Sequence, residues 1–127
     1  MNEAEYKLQL VKEVKRLGGY ARRLEDKYAL GLLDLNIKLP KHPLLWAEGK
    51  LIEGHQFAPT ARQYEEGACW IKAGVRVLLI GWRDGAMYIS PWVKKADKRE
   101  CYATSGYTYA ESLLRYLNDT PQDPKSP

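Results

Sequence analysis

Asp34, Glu48 and Lys50 are the residues whose types and spacing in this chain could do chemistry. Asp34 interrupts an alternating apolar run, Leu33, Leu35, Ile37 and Leu39. Glu48-Gly49-Lys50 follows a second apolar run, Leu44-Leu45-Trp46-Ala47. Two carboxylates held side by side repel unless a cation lies between them. Hard oxygen donors select Mg2+ or Mn2+ for that place. An ammonium two residues from one of the acids can orient a water or steady a phosphorus centre that is gaining charge. Together these groups supply what phosphodiester hydrolysis requires: a metal to polarise the phosphoryl oxygen, an activated water and a nearby cation. Alone, an Asp followed by E-x-K is a common pattern, and on an edge strand E-x-K is usually a solvent-facing salt bridge.

Two strands must bring the three residues together. Residues 32–39 alternate, with Leu33, Leu35, Ile37 and Leu39 on one side and Asp34, Asn36 and Lys38 on the other. Pro40-Lys41-His42-Pro43 is a turn, and residues 44–51 form the second strand of a hairpin. Cross-strand partners in an antiparallel hairpin share a face. A five-residue loop beginning at Leu39 sets Asp34 opposite Glu48, and the two-residue period then brings Lys50 to the same face. A register shifted by one residue would separate them.

The rest of the chain supplies the frame. Residues 2–17 read as a helix, with Tyr6, Leu10, Val14 and Leu17 at helical spacing, Val11 beside them, and Gly18-Gly19 as the stop. Glu3 falls within that apolar stripe, where a carboxylate needs a partner, either a metal or an opposite charge. A frayed helix start, where acids suit the dipole, is the plainer account, and Glu5 is the substitute on a more polar face. Residues 20–24 form a short strand carrying Arg22 and Arg23, residues 52–59 a loop, and residues 60–73 a helix capped by Thr60. Gln63 sits one turn into that helix. Residues 75–82 are an almost unbroken apolar run, the mark of a strand buried on both faces. Asp84-Gly85 turns the chain into a strand over residues 87–93, and residues 107–117 form a last helix. A hairpin followed by a helix and a buried strand predicts an α/β fold, a mixed sheet flanked by helices. Residues 1–118 read as one domain, and residues 119–127, with three prolines and no large apolar side chain, as a frayed tail.

The formal charge of +4 permits nucleic-acid binding without demanding it. Cys69 and Cys101 lie far apart, outside any CxxC, and neither pairs with His42 or His55 at zinc-ligand spacing. No stretch approaches the roughly 20 apolar residues of a membrane span. The first fifteen residues are charged throughout, unlike a signal peptide, so the expected compartment is the cytoplasm and no membrane partner is expected.

Several segments follow one another in a set order and spacing: Glu3-Ala4-Glu5, Val11 to Gly19, Gly31-Leu32-Leu33-Asp34, Ala47-Glu48-Gly49-Lys50, Pro59 to Gln63 and Ala73 to Val77. Over Glu3 to Trp82 this resembles the VRR-NUC branch of the PD-(D/E)XK nucleases, a branch close to Holliday junction resolvases and common in bacteriophages. The resemblance implies a restriction-endonuclease-like fold and an endonuclease acting on DNA with Mg2+ or Mn2+, with branched DNA as a candidate substrate. It implies metal ligands at Asp34, Glu48, the Gly49 carbonyl and Glu3, a catalytic lysine at Lys50 and a site-lining glutamine at Gln63. Lys12, Lys15, Arg16, Arg22, Arg23 and Lys27 would track the phosphate backbone. A two-fold homodimer suits a substrate with two symmetric strands, and a phage protein would work in the cytoplasm of a bacterial host. Two departures stand out: Leu33 replaces the proline usual before the aspartate, and Gly49 replaces a branched or aliphatic residue, which would loosen its strand.

Two other classes remain open at this point. A nuclease fold that keeps only DNA binding would lack a ligand, and none is missing. A phage protein-interaction module would use the aromatic-rich end, Trp82, Tyr88, Trp92, Tyr102, Tyr107 and Tyr109, unless most of these complete the core.

Overall fold

Asn2 starts helix α1 (Glu3–Arg16) with a capping box: its side chain accepts the Glu5 N–H, and the Glu5 carboxylate accepts the Asn2 N–H. Positive-φ Gly18 follows the helix end at Leu17, as the Gly-Gly stop predicts. The computed structural model describes residues 1–25 and 32–121. Lys27, Gly31 and most of the expected tail lie outside these residues.

The strands are β1 (Tyr20–Arg23), β2 (Leu35–Lys38), β3 (Leu45–Leu51), β4 (Gln56–Phe57), β5 (Arg76–Arg83), β6 (Ala86–Pro91) and β7 (Ala96–Asp97). Helix α2 (Ala61–Lys72) lies between β4 and β5, and helix α3 (Tyr109–Asp119) closes the described chain. The main sheet runs β1-β2-β3-β5-β6. Its β3–β5 pair is parallel and the other three pairs are antiparallel, so the sheet is mixed. The parallel pair exists because α2 carries the chain back between β3 and β5.

Hydrophobic periodicity decides the layers. Leu35, Ile37, Leu45, Ala47, Leu78, Ile80 and Trp82 point to one face and bury against Tyr6, Leu10 and Val14 of α1 and Leu113, Tyr116 and Leu117 of α3. Leu79 faces the other way, into a smaller cluster with Ile52, Phe57 and Ala96. On that α2 side, Trp46 meets Trp70 and Tyr64 stacks on Trp92. β5 lies inside the sheet between β3 and β6, buried from Val77 to Trp82 as its apolar run predicts. Asp84 and Gly85 both have positive φ, the backbone of a two-residue hairpin turn between β5 and β6.

Two elements differ from expectation. The loop expected over residues 52–59 contains β4, which pairs with β7 in a small second sheet. Two-residue strands carry no readable period. The strand expected over residues 32–39 contracts to β2, leaving Asp34 on a bend at its start. Most of the late aromatics serve the core: Trp82 is fully buried, and Tyr88, Trp92, Tyr102 and Tyr109 pack against the clusters, while Tyr107 stays exposed. Cys69 and Cys101 are free thiols. Among the described residues no helix is long and apolar enough to cross a membrane.

Candidate active site

Pairing of Leu35 with Ala47 and Ile37 with Leu45 sets the hairpin register, and continued by one residue it places Asp34 opposite Glu48. The Asp34 N–H donates to Glu48 Oε1 at 3.2 Å. Two residues along β3, on the same face as Glu48, the Lys50 ammonium stands 3.3 Å from Glu48 Oε2. The register on which the expected grouping depended is therefore the observed one.

The site lies where β3 outruns β2. β2 begins at Leu35, so the edge of β3 from Gly49 to Leu51 has no strand beside it on that side. Backbone donors there must find other partners. The Gly49 N–H donates to Asp34 Oδ1 at 3.2 Å, and the Leu51 N–H donates to Glu3 Oε1 at 3.3 Å. A residue's N–H and C=O point to the same edge of an extended strand. The Gly49 carbonyl therefore faces the same carboxylate-lined notch.

Lys7 fills the base of this notch, and nothing in the sequence reading singled it out. Its side chain is 4% exposed, and its ammonium pairs with Glu3 Oε2 at 2.8 Å and with Asp34 Oδ2. Burial would lower its pKa, but Asp34 and then Glu3 overcome that and hold it above the ordinary lysine value, so it is charged. One signal was available: Lys7 lies four residues after Glu3 and three before Leu10, on the same helical stripe. The opposite charge that Glu3 needed in that stripe is Lys7. Glu5 turns instead to the Asn2 cap.

Glu48 is 2% exposed. Burial, and then the neighbouring Asp34 charge, push its carboxyl up to about 7, with Lys50 and Lys7 opposing. β3 keeps its register with β5 through Gly49 to Leu51. A Cβ at Gly49 would stand 2.7 Å from Trp82 Cζ3 and 2.8 Å from Lys7 Cε. The missing side chain is the room that Lys7 and Trp82 occupy.

Other expected residues fall at varied distances from this notch. Gln63 is the N3 residue of α2, and its side-chain oxygen accepts the Thr60 N–H at 2.9 Å in a capping box. Arg22 pairs with Asn36 and shares the sheet face of Glu48 and Lys50. Arg23 turns to Glu25. Lys12, Lys15 and Arg16 are exposed on the outer side of α1, away from the sheet. A cleft of about 510 Å³ opens beside the notch, lined by Glu3, Lys50, Gln56 and Lys95 among others. Gln56, in β4, went unnoticed in sequence for the same reason as the small sheet, whereas Lys95 belongs to the basic run of residues 94–99. Among the described residues no three His, Cys, Asp or Glu side chains stand close enough together to hold a metal ion. The donors at hand are the Asp34 and Glu48 carboxylates and the Gly49 carbonyl, with Glu3 one ammonium away.

No family model and no curated protein matches this sequence. Among solved structures, the chain is similar to Hjc, a Holliday junction resolvase of the archaeal hyperthermophile Archaeoglobus fulgidus. The TM-score is 0.63 at 15% identity, over 85% of this chain and 97% of that one. This likeness shows the fold, a restriction-endonuclease-like mixed sheet flanked by helices.

Proposed function

We propose that this chain is a metal-dependent endonuclease that hydrolyses DNA phosphodiester bonds. The observation that carries the reading is the meeting of Asp34, Glu48 and Lys50 at the uncovered end of β3. A buried carboxyl raised to about 7 beside a second acid is a costly arrangement that a bound cation relieves. The donors are all hard oxygens, which fit Mg2+ or Mn2+. The Asp34 and Glu48 carboxylates and the Gly49 carbonyl would hold the ion. Such an ion polarises a phosphoryl oxygen and makes water nucleophilic at neutral pH.

The chain's own groups do the rest. Lys50 positions the attacking water from its place beside Glu48. Water adds to phosphorus, the P–O3′ bond breaks, and the products are a 5′-phosphate and a 3′-hydroxyl. Arg22, on the site's face of the sheet, would meet the phosphate backbone, while Lys12, Lys15 and Arg16 form a separate basic surface on the outer side of α1. The fold likeness to a Holliday junction resolvase supports branched DNA as substrate, and two symmetric cuts favour a homodimer. The order of motifs supports a place in the VRR-NUC branch and a phage origin, with action in the host cytoplasm.

Cleavage of linear, flapped and four-way DNA in Mg2+, Mn2+ and EDTA tests the reading. Cutting of the four-way substrate in either metal, and none in EDTA, is the expected result. Metal-independent cutting, or no cutting of any DNA, would refute it. A monomeric mass in the presence of junction DNA would remove the homodimer and, with it, junction resolution.

A further inference from the structure

We propose that the Lys7 ammonium is a built-in cation of this site, holding the seat between Glu3 and Asp34, so that the centre takes a single divalent ion per chain. The proposal rests on the reading of Asp34 and Glu48 as metal ligands.

Lys7 stands where the core would accept a leucine. It lies three, four and seven residues before Leu10, Val11 and Val14, all buried, and is itself 3% exposed. An ammonium in such a place is expensive unless paired. Here the surroundings are shaped to keep it. Glu3 and Asp34 bind it from two sides, and Gly49 leaves out the one side chain that would press on its Cε atom.

The consequence follows from charge and occupancy. Two-metal phosphodiesterases set their ions roughly 3.5–4 Å apart, held between shared carboxylates. Asp34 touches both sides of this notch: Oδ1 accepts the Gly49 N–H beside Glu48, and Oδ2 is held by Lys7. Its Oδ2 side, where a second ion would join Glu3 to Asp34, already carries a positive charge. With Glu48 ionised, the form that binds a cation, three carboxylates, Glu3, Asp34 and Glu48, face two ammoniums, Lys7 and Lys50, leaving one net negative charge. That charge suits one divalent ion on the Asp34–Glu48 side and opposes a second. Glu3 then acts through Lys7 as a positioning residue and does not bind the metal itself, which departs from the ligand role that the family resemblance implied for it.

The test is the stoichiometry of Mn2+ binding to the full chain, by calorimetry and by the loss of free-Mn2+ electron paramagnetic resonance signal, without DNA. The wild type should bind one Mn2+, and Asp34→Asn should bind none. Lys7→Gln and Lys7→Met, checked for folding by circular dichroism, should bind two, and adding Glu3→Gln to either should return the count to one. Two ions on the wild type, or one on folded Lys7 variants, overturns the built-in cation while leaving the metal site standing. No Mn2+ on the wild type overturns the metal site itself, and the proposal with it. If neither Lys7 variant folds, the wild-type count and the Glu3→Gln single variant decide: one ion on each supports the proposal, and two on the wild type or none on Glu3→Gln overturns it.

Discussion

Glu48 keeps its proton to a higher pH than the unfolded chain does, with a carboxyl near 7 against an ordinary value of 4.5. Between those values the folded protein holds a proton that the unfolded chain has released. Glu48 therefore contributes stability that is fully present below pH 4.5 and is lost as pH rises through about 7. Thermal melts in EDTA across that window should show the wild type losing stability with rising pH more steeply than Glu48→Gln. Parallel curves would mean that Glu48 titrates normally. Asp34 has a second duty, because it is one of the two partners of buried Lys7. Asp34→Asn should stop cleavage and also lower stability, by about 1–3 kcal/mol, as Lys7 is left with Glu3 alone. A urea melt unchanged from wild type would contradict that pairing. Lys50 has no such structural duty, being partly exposed and, among the described residues, paired only with Glu48.

At the scale of elements, the decisive feature is the length difference between β2 and β3. The alternation of Leu33, Leu35, Ile37 and Leu39 against Asp34 and Asn36 was readable, and it is the alternation that brings Asp34 to Glu48. The early end of β2 was not readable, since nothing in Leu32-Leu33-Asp34 forbids a strand. Yet that early end uncovers the Gly49 and Leu51 N–H groups and draws in Asp34 and Glu3. Lys7 escaped notice because a lysine on a helix is usually solvated, and its burial depends on Gly49, forty-two residues away in sequence. Gly49→Ala tests this coupling. The Trp82 ring is stacked on Tyr6 in the core and has no room to retreat. The variant should lose about 1–3 kcal/mol in urea unfolding, as overpacked cores do, and bind Mn2+ more weakly. Wild-type stability would show that the space at Gly49 is not needed.

For the whole molecule, the C-terminal segment that matched no motif proves to be part of the frame. α3 lies beside α1, and buried Glu13 of α1 accepts the Ala110 N–H at 3.2 Å, satisfying a donor in its first turn. Tyr109 donates to the Gly85 carbonyl at 2.6 Å, and Tyr6 accepts the Gly85 N–H at 2.9 Å, so α1 and α3 together clamp the β5–β6 turn. The helix that carries Glu3 and Lys7 is thus steadied by residues far from the site. Leu113→Ala, at a fully buried position, should cost about 2–5 kcal/mol in urea unfolding, and a loss under 1 kcal/mol would argue against this packing. Helix periodicity made α3 readable as an element, whereas its partner was not, because nothing local to residues 109–119 names α1.

If Asp34, Glu48 and Lys50 form the proposed metal-dependent DNA-cleaving site, Lys50 is the residue whose loss should separate activity from stability. Cleavage of a four-way DNA junction in Mn2+ should be compared between wild type and Lys50→Ala, with melting temperatures measured on the same samples. The wild type should cut in Mn2+ and stop in EDTA. Lys50→Ala should melt as the wild type does and cut at least about 100-fold more slowly. Cleavage by Lys50→Ala at the wild-type rate, or wild-type cleavage that persists in EDTA, would contradict the proposed site.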